Sequence, residues 1–491
     1  MNPQPLVMIT GATGYIGRRL QERLLARGDC AVRLLVRNRH KVGGGVRNQV
    51  EIVEGDTFDP AGLDRALAGV ETAYYLIHSM GAGADYDRLD RQSAVNFRDA
   101  AIRQGVKRII YLGGLGVKES ASKHLLSRIE TGEILSARPG EIQTIWFRAG
   151  VIIGSGSASF EIIRHLAQKL PLMVTPRWIK TRTQPIAVDD VLAYLVAALN
   201  LDYPGNLVVD IGSESSDFRA MLLKAAEIMG LRRFIIPVPV LSPRLSSYWL
   251  VLFTPVPYAI AAALVEGLRS ETLVQNDHAR RFFPQIQPIS YEEAVKQALA
   301  EIERQQVLSR WCDSSAGVIC DIGGEEEMSS AFLRDRRVVD CGDLPPAAVF
   351  AAASSIGGER GWFTYNFLWR MRGFIDKAAG GYGLNRGRRH PTELRIGDAL
   401  DFWKVADLKP GKRLLLAAQM KVPGKAWLEF DIQKGQLIQT AHFYPNGVWG
   451  RLYWYTVLPL HALVFGDLAR SILARARELA ASAPTEPGPS T

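Results

Sequence analysis

The residues Thr10-Gly11-Ala12-Thr13-Gly14-Tyr15-Ile16-Gly17 space three glycines as G-x-x-G-x-x-G, directly after an apolar run and at the opening of a helical pattern. That context suits a dinucleotide diphosphate. Gly11 permits the tight turn, Gly14 lets the backbone approach the diphosphate, and Gly17 lets helix and strand pack closely. The helix start adds free N–H groups and the positive end of its dipole. The second apolar run ends in Val36-Arg37-Asn38-Arg39. An acidic residue there would hold ribose hydroxyls, whereas Arg37 suits a 2′-phosphate, so NADP is expected ahead of NAD. Asp56, in Gly55-Asp56 after the third run, has two readings: an acceptor for the adenine amino group, or an ordinary turn aspartate. His78-Ser79-Met80-Gly81 closes the fourth run as a polar patch beside the expected nicotinamide position. His124 and Arg128 stand four apart on a helical stretch, so they share a face. His124 has a reference pKa suited to a general acid. Arg128 suits a ribose or phosphate and is a poor base. A solvated face without chemistry is the competing reading of this pair.

The elements that must position these groups alternate. Strand patterns at Leu6–Thr10, Ala31–Val36, Val50–Glu54, Thr72–His78, Arg108–Leu112, Thr144–Phe147 and Asn206–Asp210 flank helical patterns at Tyr15–Arg27, Arg88–Arg103 and Phe218–Met229. Such alternation predicts a doubly wound parallel sheet, α/β in class. Tyr74 and Tyr75 read as core. The chain has 491 residues, enough for two to four domains. Composition shifts near Arg304–Ser330. Residues 1–305 are expected to form the Rossmann domain, 306–330 a linker, 331–481 a second domain, and 482–491 a disordered tail. In the second domain, Arg413–Met420, Ala426–Ile432 and Leu437–Tyr444 read as hairpin strands, with Arg451–Tyr455 as a further candidate and a long helix at His461–Ala480.

Composition excludes several classes. With 47% apolar and 22% charged residues, wholesale disorder is out. Four cysteines, Cys30, Cys312, Cys320 and Cys341, form no C-x-x-C pair, so neither a disulfide scaffold nor a zinc knuckle is expected. A net charge of +9 biases the protein toward anionic ligands or surfaces. No helix-turn-helix or RNA-binding signature appears, and no nucleic-acid partner is expected. The first residues lack a signal peptide, which predicts a cytoplasmic protein. Leu245–Val265 carries no charge and, at about 20 residues, has the length to span a bilayer. Pro255 and Pro257 break it, so it is read as a cap helix pair, with membrane association as the alternative. Oligomeric state is left open.

The N-terminal half resembles the short-chain dehydrogenase/reductase superfamily, in its extended and atypical, epimerase-like and NmrA-like branches. The resemblance rests on Gly11, Gly14 and Gly17, on Gly55-Asp56, on Tyr111-Leu112-Gly113-Gly114, on Phe147 to Gly154 and on Pro185-Ile186-Ala187-Val188-Asp189-Asp190-Val191. It implies a Rossmann fold with the cofactor over the C-terminal edge of the sheet and a small substrate lobe. It also implies catalysis by a Tyr and a Lys four residues later. This chain departs there: the matching helix reads Ser122-Lys123-His124-Leu125-Leu126-Ser127-Arg128-Ile129-Glu130, with no Tyr-x-x-x-Lys.

From about residue 330 the chain resembles an uncharacterised domain found fused to such reductases, similar in outline to the START/polyketide-cyclase (helix-grip) superfamily. The residues are Gly361 to Asn366, Gly397 to Trp403, Pro423 to Phe430 and Gly450 to Tyr455. The resemblance implies a cavity for a lipid-like or other apolar ligand. Independently, Trp362, Phe363, Trp369, Trp403, Trp427, Trp449 and Trp454 either fill a core or line an apolar pocket. Arg386, Arg388, Arg389 and His390 read as a solvated basic loop, or as a contact for an anionic headgroup. Three functions follow: an NADP(H)-dependent oxidoreductase on a bulky apolar substrate, with His124 as proton donor; a non-catalytic NADP(H)-sensing or assembly protein; and a lipid-binding protein of the membrane surface.

Overall fold

The computed structural model describes residues 4–37, 39, 42, 44–78, 86–238, 265–267, 270–303, 333–378, 383, 388–390, 393–433, 435–445 and 447–481. Ser79 to Gly81, nearly all of Leu245–Val265, residues 306–330, Arg386 and the tail lie outside them. The chain divides into two compact units, Met1–Val318 and Ile319–Thr491.

The first unit is built on seven parallel strands: β1 Leu6–Ile9, β2 Ala31–Val36, β3 Glu51–Glu54, β4 Thr72–Tyr75, β5 Arg108–Gly114, β6 Gln143–Ala149 and a seventh, Leu207–Ile211. Their order is β3-β2-β1-β4-β5-β6 with Leu207–Ile211 outside β6. The order reverses between β1 and β4, and ligands of open α/β sheets bind outside the strand ends at such a switch. Parallel strands are covered on both faces, so they read as unbroken apolar runs. Tyr74 and Tyr75 show this. They point to opposite faces, both fully buried, and their hydroxyls reach Leu195 O at 2.8 Å and Ser93 Oγ at 2.7 Å. Beside the sheet stand helices α1 Tyr15–Arg27, α2 Gly44–Arg47, α3 Pro60–Leu67, α4 Tyr86–Arg103 and α5 Lys123–Leu135. Short pairs extend beyond the strand ends: Ile152–Ile153 with Ile186–Ala187 and Leu172–Pro176 with Phe234–Val238, both parallel. Arg19 of α1 is buried and donates to Ser155 Oγ at 2.8 Å and to Glu301 Oε2 at 3.0 Å. It thereby ties the nucleotide-side helix to this lobe.

The second unit is α+β. Leu333–Asp340, Ala399–Leu400, Trp403–Lys409, Arg413–Ala418, Gly424–Gln433 and Gln436–Pro445 form one antiparallel sheet. The long helix Gly447–Ala481 packs on one face through Leu468, Ile472, Leu473 and Ala476. The tryptophans separate. Trp362, Trp369, Trp403, Trp427 and Trp454 are buried, whereas Trp449 is 75% exposed.

Two expectations are corrected here. Arg451–Tyr455 is helical, not a strand; an unbroken apolar run carries no period to tell the two apart. The arginines at 388 and 389 do not form a solvated loop. Arg388 donates to Ile356 O at 3.0 Å and also to Ser354 O and His390 O, so burial lowers its pKa to about 10. Arg389 is buried against Asp398, with Nε and Nη2 both near 3.1 Å from its carboxylate. Removing one partner of such a pair strands a buried charge. Arg389→Met is therefore expected to destabilise the second unit by about 3–5 kcal/mol in denaturant titration.

Candidate nucleotide and proton-transfer site

The glycine-rich turn leaves β1 at the switch point. Thr10 Oγ1 donates to Tyr74 O at 2.9 Å and accepts the Leu76 amide at 3.2 Å, so the ends of β1 and β4 are stitched together. Gly11 has φ +65°, and a Cβ there would lie 2.4 Å from Leu76 O. A Cβ on Gly17 would lie 2.3 Å from Gly11 O and 2.9 Å from Ala12 Cα. Ala12 is buried, Thr13 O accepts from Arg18 Nε at 3.0 Å, and Gly14 N donates to Gly11 O at 2.9 Å. Gly14 is the extended N-cap of α1 and provides no side-chain cap. The amides of Tyr15, Ile16 and Gly17 thus begin the helix without an intrahelical acceptor or a capping side chain. A cradle closed to side chains and rich in N–H groups fits a diphosphate.

Arg37 is exposed just past β2, and its side chain has no partner among the described residues. Arg39, also exposed, donates its amide to Glu54 Oε1 at 2.7 Å. Asp56 Oδ1 accepts the Phe58 amide at 3.1 Å, the bond of an Asx turn, which leaves Oδ2 available.

His78 and His124 converge. His78 Nδ1 is 3.0 Å from Asp90 Oδ2, and His78 Nε2 is 3.1 Å from His124 Nδ1. The rings stand 4.6 Å apart. Asp90 is buried and also accepts the Ser127 hydroxyl at 3.1 Å. Ser122 caps α5 by accepting the Leu125 amide at 3.3 Å, fixing the start of the helix that carries His124. Arg128 donates to Leu112 O, and its own carbonyl accepts the Tyr111 hydroxyl at 2.9 Å.

This network assigns the tautomers. A carboxylate accepts, so His78 carries its hydrogen on Nδ1 and accepts at Nε2. His124 then donates from Nδ1 and keeps a lone pair on Nε2. Burial pushes the His78 pKa down, the Asp90 hydrogen bond opposes this, and the Arg128 charge adds to the lowering. His124 is pushed well down by burial, then by His78 and Arg128. The resting pair is neutral. A proton arriving at His124 Nε2 need not remain there. The Nδ1 hydrogen can pass to His78 Nε2, which places the positive charge beside Asp90.

Asp90 and Ser127 were not singled out from the sequence. The usable signal lay in α4: Asp90 falls in register with Ala94, Phe97 and Ala101, all buried. A carboxylate on an apolar stripe needs a partner.

Comparison with known proteins bears on the cofactor class of the first unit. Residues 11–138 match a family described as NAD(P)H-binding, and 328–468 match a family described as a protein of unknown function (DUF2867). Ceramide reductase of Caulobacter vibrioides is 29% identical over 239 residues, 48% of this chain and 74% of that protein. A (4-alkanoyl-5-oxo-2,5-dihydrofuran-3-yl)methyl phosphate reductase of Streptomyces griseus subsp. griseus is 27% identical over 236 residues, 46% of this chain and 74% of that one. Among solved structures, the Citrobacter sp. triphenylmethane reductase complexed with NADP(H) overlays with TM-score 0.49 at 22% identity, covering 60% of this chain and 99% of its own. Residues 11–138 thus carry the NAD(P)H-binding match on the doubly wound parallel sheet of the first unit.

Proposed function

We propose that this chain is an NADP(H)-dependent oxidoreductase for a bulky apolar substrate, with Asp90, His78 and His124 in place of the tyrosine–lysine pair. The observation that carries the reading is the half-buried hydrogen-bond chain from the buried Asp90 Oδ2 through His78 to His124 Nδ1. An NAD(P)H whose diphosphate sat in the glycine-rich cradle would supply the hydride chemistry. The chain's own residues supply the proton. In alcohol oxidation, His124 Nε2 accepts the hydroxyl proton, and the relay moves the charge toward Asp90. In carbonyl reduction, the protonated relay donates from the same nitrogen.

An apolar substrate is supported by the lobe, where Leu172, Phe234 and Ile236 are about half exposed or more, at 51%, 67% and 48%. It is also supported by the ceramide named for one relative. The second unit is suited to hold such a ligand against its aromatic interior. There Gln439 is buried in register with Leu437 and Ala441, and neither amide atom has a partner among the described residues.

The 2′-phosphate preference rests on Arg37. Fluorescence titration is expected to show NADPH binding more tightly than NADH. Arg37→Ala should weaken NADPH about tenfold or more, the worth of a charge-assisted hydrogen bond, and leave NADH unchanged. Tighter NADH binding by the wild type would refute the assignment.

The rival reading, a non-catalytic NADP(H) sensor, is favoured by one feature: Arg128, at the lysine position, donates to Leu112 O. Substitution of His124 separates the two.

A further inference from the structure

The second unit presents apolar side chains outward on two helices. On Asn366–Ala378, Phe367, Met371, Phe374 and Ile375 recur at helical spacing, and each is more than half exposed. On Gly447–Ala481, the same holds for Trp449, Leu452 and Tyr455, and Leu460 and Leu463 continue the stripe at 48% and 50% exposure. The two helices that carry the stripes are neighbours. The Tyr365 hydroxyl, just before the shorter helix, donates to Asp467 at 2.8 Å, and Trp369 lies 6.4 Å from Phe465. At the other end, Arg372 Nη2 donates to Lys421 O at 3.4 Å. A Cβ on Gly450 would meet Pro423 O at 2.4 Å, so both helices bracket the turn at 421–424. Isolated exposed apolar residues need no explanation, but a patch of this extent does.

Charge identifies what covers it. Two acidic residues in this region are consumed by the fold. Asp376 is fully buried and accepts the Gly383 and Lys421 amides at 2.9 and 2.6 Å. Asp467 accepts from Tyr365 and Arg470. Arg370, Lys421, Lys425 and Arg451 are exposed around the stripes. From Leu452 to Gly466 the long helix has no charged residue. An apolar face with amphipathic aromatics and a cationic margin matches the interface of an anionic bilayer. The helix Trp449–Ala481 is long and apolar enough to cross a membrane, with 33% of its most apolar window buried. However, Trp454, Val464 and Phe465 within its uncharged stretch are packed into the core of this unit, as are Leu468, Ile472, Leu473 and Ala476 beyond it, which is the arrangement of a helix lying on a surface with one face buried.

We infer that the exposed faces of helices Asn366–Ala378 and Gly447–Ala481 dock the protein on an anionic lipid bilayer, with Phe374 and Trp449 entering the headgroup boundary. This does not rest on the catalytic reading. The test is flotation of the full-length chain with phosphatidylcholine vesicles, with and without phosphatidylglycerol. Expected is binding that needs the anionic lipid and weakens with salt. Phe374→Glu and Trp449→Glu should each weaken it roughly tenfold or more. Arg451→Glu and Lys425→Glu should weaken it by at least about fivefold each. Retained NADPH binding and an unchanged circular dichroism spectrum show that each variant is folded. Failure of the wild type to float, or equal binding to neutral vesicles, overturns the proposal. So does a sedimentation mass that halves in Trp449→Glu without lipid, which would assign the face to a second copy of the chain.

Discussion

Replacing His124 by phenylalanine is expected to lower turnover roughly 100- to 10,000-fold while NADPH affinity is unchanged. The phenyl ring preserves the tilted ring contact with His78 but removes both ring nitrogens of the relay. Asp90→Asn should be nearly as damaging, up to roughly 10,000-fold, although Asp90 lies two hydrogen bonds from His124 Nε2. A carboxamide can turn its NH2 toward His78, which then holds its hydrogen on Nε2 and forces His124 into the wrong tautomer. The charge arriving on His78 would also lose its counter-ion. The pH profile distinguishes this relay from a free histidine. Both imidazoles are held below the ordinary 6.5, and His124 well below it. Oxidation needs the neutral pair, so its rate should be flat from pH 6.5 upward and fall only at more acid values. Reduction needs the protonated pair, so its rate should rise as pH falls. An oxidation rate that climbs through an ordinary histidine midpoint would refute the relay. Full activity in His124→Phe would leave the site to the cofactor alone.

What was legible in the sequence is what is encoded locally. Gly11, Gly14 and Gly17 reveal their role because strand, turn and helix follow one another within a few residues. The unbroken apolar strands announce a sheet covered on both faces for the same reason. The proton relay was only half legible. His78 and His124 were each singled out, but the first was assigned to the cofactor and the second to catalysis alone. Their contact joins the end of β4 to α5, 46 positions apart, and no spacing rule reaches that far. Asp90 was passed over because α4 reads as a polar helix. Its burial shows only when its register is compared with Phe97 and Ala101. Arg388 and Arg389 misled in the opposite direction. A run of basic residues reads as solvated until Asp398 and the carbonyls of Ser354 and Ile356 are placed around it. Arg451–Tyr455 misled because a helix half buried and half apolar on its outer face leaves no polar period to detect.

Gly11→Ala and Gly17→Ala test the other half of the site, and both are expected to abolish measurable NADPH binding in a chain that still folds. At Gly11 two costs add. A left-handed backbone costs a non-glycine residue roughly 1–2 kcal/mol, and the methyl must displace Leu76 O from 2.4 Å. Overpacking of that kind adds about 1–3 kcal/mol. Relief comes only by moving the turn away from β4, which carries the amides of Tyr15 to Gly17 off the diphosphate. At Gly17 the backbone angle is ordinary, so the cost is steric alone: Gly11 O at 2.3 Å and Ala12 Cα at 2.9 Å belong to the same turn. The helix must lift from the strand, and its N-terminus moves with it. Each 1.4 kcal/mol lost at the diphosphate is a factor of ten in affinity. Calorimetric titration should therefore lose the NADPH signal in both variants. The melting temperature should fall further for Gly11→Ala, where strain and clash combine. Undiminished nucleotide uptake by either variant would mean that the diphosphate sits elsewhere, and the relay at His124 would then have no hydride to accompany.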